Sequence, residues 1–262
     1  MTWRIIPAKQ VKYHNPILIE GLPGIGNVGK VAVDFIIDTL GAEKVADLIS
    51  CSFPNSAFVN EENLLELPRM ELYWKKGKKH DILFLAGDVQ PISEESCYEF
   101  CNTLLDMLDE AGCKEVITLG GIGLSSEPKV PQVFCTGNSK QTVQKYLAGT
   151  TMKSELYGVV GPVVGVTGLL IGLAQRRKIA GVALLAETYA HPMYLGMKGA
   201  RALIKVINKK MNLKINIKDL DKEIEELEQE LQDKTKEITK AKSKRFMQKL
   251  RGKFGKNINY IG

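Results

Sequence analysis

Between residues 1 and 212, short apolar runs of strand length alternate with longer segments whose apolar residues recur every three or four positions. That alternation is the strongest constraint on the fold. A strand, a helix and a further strand bring the chain back to one sheet in parallel. "PILIEG" reads as a strand and "VGKVAVDFIIDTLG" as a helix that stops at Gly41. "EKVADLISCSF" is a second strand, and "MELYWKKGKKHDILFLAG" a hairpin across a polar Lys/Gly turn. "SEESCYEFCNTLLDMLDEAG" is a helix with Ser93 as its N-cap and Gly112 as its stop. Strands at "CKEVITLGG" and "PQVFCTGN", a helix at "SKQTVQKYLAG", a central strand at "KIAGVALLAET" and a helix at "YLGMKGARALIKVINKKMN" complete the series. The expected fold is α/β, with a mainly parallel sheet, helices on both faces and the hairpin at or near an edge.

The turn after the first strand, "EGLPGIGNVGK", invites a nucleotide. Gly24, Gly26 and Gly29 spell G-x-G-x-x-G, and Gly24 to Lys30 most of a phosphate-binding G-x-x-x-x-G-K loop. Val31 stands where that loop needs Ser or Thr for magnesium, and Pro23 removes a backbone donor just before it. The second strand ends in Cys51, Ser52 and Phe53, without the carboxylate that a dinucleotide's ribose requires. Both motifs fail at the position that does the specific work. The three glycines are therefore expected to serve a sharp turn and close strand–helix packing. No cofactor is expected.

Other chemistry is sparse. Of three histidines, His191 lies near Glu187 after the central strand, a pairing able to do acid–base work but more often structural. Cys97 and Cys101 sit four apart on a helix without a second ligand pair, so they are expected as small buried hydrophobes and no metal is expected. An odd count of five cysteines, mostly in apolar runs, fits reduced thiols in a cytoplasmic protein. Tyr157 to Ala174 carries no charge, but five glycines and Pro162 make it a glycine-rich turn with a buried helix from about Val166 rather than a membrane span. The N-terminus lacks the pattern of a signal peptide. A net charge of +6 is too mild to require nucleic acid.

After residue 212 the pattern changes. Ile217, Leu220, Ile224, Leu227 and Leu231 step by three and four, with Ile238 and Ala241 beyond an interruption at Lys234. This is a short heptad seam. Asp219 to Asp233 holds eight acids and one lysine, and Lys234 to Lys256 ten basic residues and one acid. The segment 213–262 is read as a charged helical arm used for association, distinct from an α/β domain at 1–212. A solvated lone helix and an RNA-binding tail are the alternatives.

Taken in order, "EGLPGIGNVGKVA", "LAGDVQP", "LGGIG…VFCTGNS", "GPVVGVTGLLIG" and "GVALLAETYAHPMYLGMKGARALI" resemble the archaeal proteasome-assembly-chaperone homologues, over about Pro16 to Ile207. The resemblance implies a three-layer sandwich like that of purine nucleoside phosphorylases, without established catalytic residues. It also implies a homo-oligomer and partners among proteasome subunits or other assembly factors. Some members end in a hydrophobic–Tyr–any motif that docks on the proteasome. This chain ends "NINYIG", with Tyr260 third from the end after Asn259, so that motif is shifted by one residue and incomplete. Ile258 and Tyr260, with the seam residues Ile224, Leu227, Leu231 and Ile238, are the expected partner contacts. The rival reading is a small-molecule enzyme of the nucleoside-phosphorylase type, using Gly24–Gly29 for phosphate.

Overall fold

The computed structural model describes residues 3–222, apart from 157, 159–160, 192–193, 217 and 219–220. In chain order the elements are β1 Trp3–Pro7, β2 Ile17–Gly21, α1 Val28–Leu40, β3 Glu43–Ser50, β4 Phe58–Val59, β5 Leu65–Glu66, β6 Met70–Lys75 and β7 Ile82–Gly87. There follow α2 Glu94–Glu110, β8 Glu115–Leu124, β9 Val133–Gly137, α3 Lys140–Leu147, α4 Val166–Ala174, β10 Ala180–Tyr189 and α5 Met197–Met211.

Eight strands form one sheet in the order β1-β3-β6-β7-β2-β8-β10-β9, and β4 and β5 pair as a separate small hairpin. The expected mainly parallel sheet is instead mixed. Only β7–β2, β2–β8 and β8–β10 pair in parallel; the other four pairings are antiparallel. The physical reason lies in the hairpin. β6 returns beside β7 from within the sheet, not at its edge, and β3 and β1 then extend that antiparallel side.

Both faces of the parallel centre are covered, as continuous apolar strands require. Alternation along each strand sorts the residues. Leu18, Leu83, Leu85, Val116, Ala183 and Leu185 join a core with Phe100, Leu104 and Leu108 of α2 and Leu170 of α4. Ile19, Phe84, Ile117, Leu119 and Leu184 are buried on the other face, where α1 and α5 pack on the strands and on each other.

The helix ends follow local chemistry. Ser93 Oγ accepts the Ser96 N–H and Ser139 Oγ accepts the Thr142 N–H, satisfying donors that the first turn leaves free. Gly41 (φ 54°) ends α1 in the left-handed region. Among the described residues no helix is long and apolar enough to cross a membrane. The chain divides after Ile215 into units Met1–Ile215 and Asn216–Gly262. Ile215 belongs to the first because Asn208 bonds both its N–H and its carbonyl.

Candidate functional site

The glycine turn lies at the carboxyl end of the parallel strands, where such sheets usually meet ligands and partners. It is pressed onto its neighbours. A Cβ at Gly29 would lie 2.2 Å from the Leu119 carbonyl oxygen, and one at Gly21 would lie 2.3 Å from the Gly29 carbonyl oxygen. Gly26 has φ 62°, and a Cβ there would lie 2.6 Å from Thr188 Oγ1, a buried hydroxyl without a hydrogen-bond partner among the described residues. Gly24 is different: it is extended and has open space around it. The turn is also held from the side. Gln90 Nε2 donates to the Pro23 carbonyl at 2.7 Å while Gln90 Oε1 accepts the Val166 N–H at 3.3 Å, joining the turn to the start of α4.

Beneath the turn is a residue that the sequence reading passed over. Glu20 is fully buried in β2. Its Oε1 accepts the Leu22 N–H at 2.9 Å, and its Oε2 accepts the Thr167 hydroxyl at 3.5 Å. Burial disfavours the charged form and pushes its pKa up to about 8, against the smaller opposing effect of those bonds. A lone carboxylate within the otherwise apolar "PILIEG" was the available signal.

The side chains that would make this a catalytic pocket have other partners. Lys30 Nζ, the would-be phosphate lysine, lies 3.0 Å from Asp34 and 3.5 Å from Asp88. Asp88 also lies 3.5 Å from Arg69. Glu187 Oε2 accepts the Gln132 N–H at 2.9 Å, and the His191 ring stacks on Tyr189 at 5.5 Å. Cys97 and Cys101 are buried against the core of α2. Among the described residues no group of His, Cys, Asp or Glu could hold a metal ion.

What this end of the sheet offers is apolar surface. β6 is antiparallel to both β7 and β3, so β3 ends, and β6 begins, at the carboxyl end. The β4–β5 hairpin between them therefore stands there, with Leu65 and Leu67 75% and 76% exposed and Phe58, Val59 and Leu64 exposed beside them. Ile25 follows β2, Ile92 follows β7, Val130 lies between β8 and β9, and Val164 precedes α4; all four are exposed at the same end. Nine of the twelve exposed large apolar residues among those described thus gather on one end of the sheet. They come from five separate segments along that end of the sheet. The sequence-expected contacts Ile224, Leu227, Leu231, Ile238, Ile258 and Tyr260 lie outside the described residues, as does nearly all of the arm.

The model of the PAC2 family matches residues 18–235. An uncharacterized protein of Methanocaldococcus jannaschii is 32% identical over 181 residues, covering 69% of this chain and 67% of its own. Mouse proteasome assembly chaperone 2 is 32% identical over 111 residues, 40% of this chain and 41% of its own. The crystal structure of Pyrococcus furiosus PbaB, an archaeal proteasome activator, is similar with a TM-score of 0.79 at 30% identity, over 88% of this chain and 98% of PbaB.

Proposed function

This chain belongs to the PAC2 family, and from that premise we propose that it is a non-enzymatic proteasome-assembly-chaperone homologue, a scaffold that works by holding other polypeptides. The observation that carries the reading is the exposed apolar surface collected at the carboxyl end of the sheet, with the β4–β5 hairpin as its most prominent part. A face of that kind recognises a partner by burying aromatic and aliphatic anchors at its centre, with polar groups around them.

The glycine turn supports the same reading. Gly21 and Gly29 are accounted for by close backbone contacts, Gly26 by its left-handed backbone and its contact with the Thr188 side chain, and Lys30 by its acidic partners. Neither needs a bound phosphate. In this account the protein is a cytoplasmic homo-oligomer whose arms, 213–262, add contacts through Ile224, Leu227, Leu231, Ile238, Ile258 and Tyr260. Several weak contacts presented together raise avidity without any single strong one. The partners are proteasome subunits or another assembly factor.

A pull-down tests this. The full-length chain, incubated with purified proteasome α subunits and, separately, with a cell extract in which assembly factors are detected by mass spectrometry, is expected to retain one or the other. Retention of neither contradicts the proposal.

A further inference from the structure

The β4–β5 hairpin is held together differently from the rest of the chain. β4 and β5 pair only with each other, Phe58 opposite Glu66 and Val59 opposite Leu65. Of residues 55–67 only Asn60 is not exposed. A two-stranded ribbon this short is not stable on its strand pairing alone. Asn60 holds its turn instead. The Asn60 N–H donates to the Leu64 carbonyl at 2.9 Å, and the Asn60 carbonyl accepts the Asn63 N–H at 3.0 Å. Asn60 Oδ1 accepts the N–H groups of Glu62 and Leu64 at 3.0 and 2.9 Å, and Asn60 Nδ2 donates to Glu66 Oε1 at 2.7 Å. Asn63 adopts the left-handed backbone (φ 60°) within that turn. The hairpin therefore keeps its shape through polar bonds around one residue, and its leucines have no part in that.

What the leucines do is face water. Alternation along the two strands puts Val59 and Leu65 side by side on one face, and Phe58 and Glu66 on the other. Val59 is 66% exposed, Leu65 75% and Leu67, two residues on, 76%. Apolar side chains so open to solvent add little to the stability of the fold, because they remove little area from water. The charge around them has one sign. Residues 55–67 hold Glu61, Glu62 and Glu66 and no basic residue, within a chain whose net charge is +6. Glu66 is bonded to Asn60, whereas Glu61 and Glu62 make no ion pair among the described residues.

We propose that the hairpin docks on a polypeptide partner that presents an apolar strip flanked by lysine or arginine, with Val59, Leu65 and Leu67 against the strip and Glu61 and Glu62 towards its cations. The inference rests on the reading of the chain as a binder of polypeptides, and gives that partner a chemistry. Apolar contact at the centre supplies affinity, while opposite charge at the rim steers the encounter and sets the orientation. A turn already fixed by Asn60 lowers the ordering cost of docking. An anionic lipid surface fits less well, since it repels the three glutamates. The hairpin of a second copy fits less well for the same reason, since it brings three glutamates against three.

The test is fluorescence anisotropy of the full chain with two synthetic peptides of equal length and identical leucine pattern, one with lysine between the leucines and one with glutamate. The lysine peptide is expected to bind at least about tenfold more tightly. The net charge of the chain would give the opposite order, so the preference reports a local acidic surface. Leu65→Ser/Leu67→Ser is expected to weaken binding of the lysine peptide at least about tenfold, and Glu61→Lys/Glu62→Lys to remove the preference. Neither variant touches the Asn60 bonds, which use backbone groups at 62 and 64 and the Glu66 side chain. No binding of the lysine peptide below about 1 mM, equal affinities, a preference that survives Glu61→Lys/Glu62→Lys, or unchanged binding in the leucine variant would each overturn the inference. So would dissociation of the chain's own oligomer by Leu65→Ser/Leu67→Ser in light scattering, which would assign the face to a second copy. Retention of α subunits or an assembly factor without peptide binding would sink this inference alone, and peptide binding without retention would sink the scaffold reading alone.

Discussion

In the folded chain the Gly29 backbone rests on the carbonyl oxygen of Leu119: a Cβ at position 29 would fall 2.2 Å from it. This contact seats the start of α1 directly on β8 and accounts for a glycine in what resembles a phosphate loop. Gly29→Ala must therefore push helix and strand apart. It is expected to cost about 3 kcal/mol, the upper range for overpacking at a site that cannot give way. Gly24→Ala, in open space with an extended backbone, is expected to be nearly neutral. Urea denaturation of the two variants checks the contrast. A phosphate-binding role for the turn would instead make the effect of either one depend on added phosphate.

Glu20 makes stability depend on pH. Its pKa is about 8 in the fold and near the ordinary carboxylate value when unfolded. Between those values the native state holds a proton that the unfolded chain has lost, so stability falls as pH rises through that window and levels off above it. The slope from this one group is at most about 1.4 kcal/mol per pH unit. Glu20→Gln keeps an acceptor for the Leu22 N–H and is expected to flatten the stability profile between about pH 5 and 8. An unchanged slope in denaturation midpoints would show that Glu20 ionises freely.

Trp3 ties the first strand to α2. Its Nε1 donates to Ser96 Oγ at 3.1 Å, and its ring meets Phe100 edge-on with centroids 4.8 Å apart. Trp3→Ala is expected to destabilise by about 3–5 kcal/mol, since it leaves a cavity under an edge strand. Trp3→Phe keeps most of the packing but loses the bond, and is expected to cost much less. Thermal unfolding of the pair separates packing from hydrogen bonding.

Much of this architecture could be read in advance, for local reasons. The helices α1 and α2 carry their own periodicity and stop signals, and the β6–β7 hairpin its own turn. The N-cap at Ser93 is a side-chain property and needs no tertiary knowledge. Pairing order is not local, so nothing in "MELYWK" announced that β6 would be an interior strand with β3 beyond it. β1 escaped notice because "WRIIP" is a short edge strand with one buried residue and no alternation. The apolar face was equally hidden. Its residues come from five separate segments, each unremarkable alone, and only the fold brings them to one end. Glu20 and Glu115 were visible as single acids in apolar strands, but their burial is a tertiary fact.

The hairpin offers a clean test of binding apart from folding. Leu65 and Leu67 are largely exposed, so Leu65→Glu/Leu67→Glu is expected to leave stability within about 0.5 kcal/mol of the parent. Retention of α subunits or assembly factors by the doubly substituted chain is expected to fall at least about tenfold, because two charges would have to be buried in an apolar contact. Undiminished retention would place the contact elsewhere on the molecule.

The most direct measurement is amide hydrogen exchange on the full chain, alone and with whichever retained partner binds it. Slowed exchange is expected in 58–67 and in the loops around Ile25, Ile92, Val130 and Val164, with the β6–β7 turn unaffected. Protection confined to other surfaces while the partner is bound would contradict it.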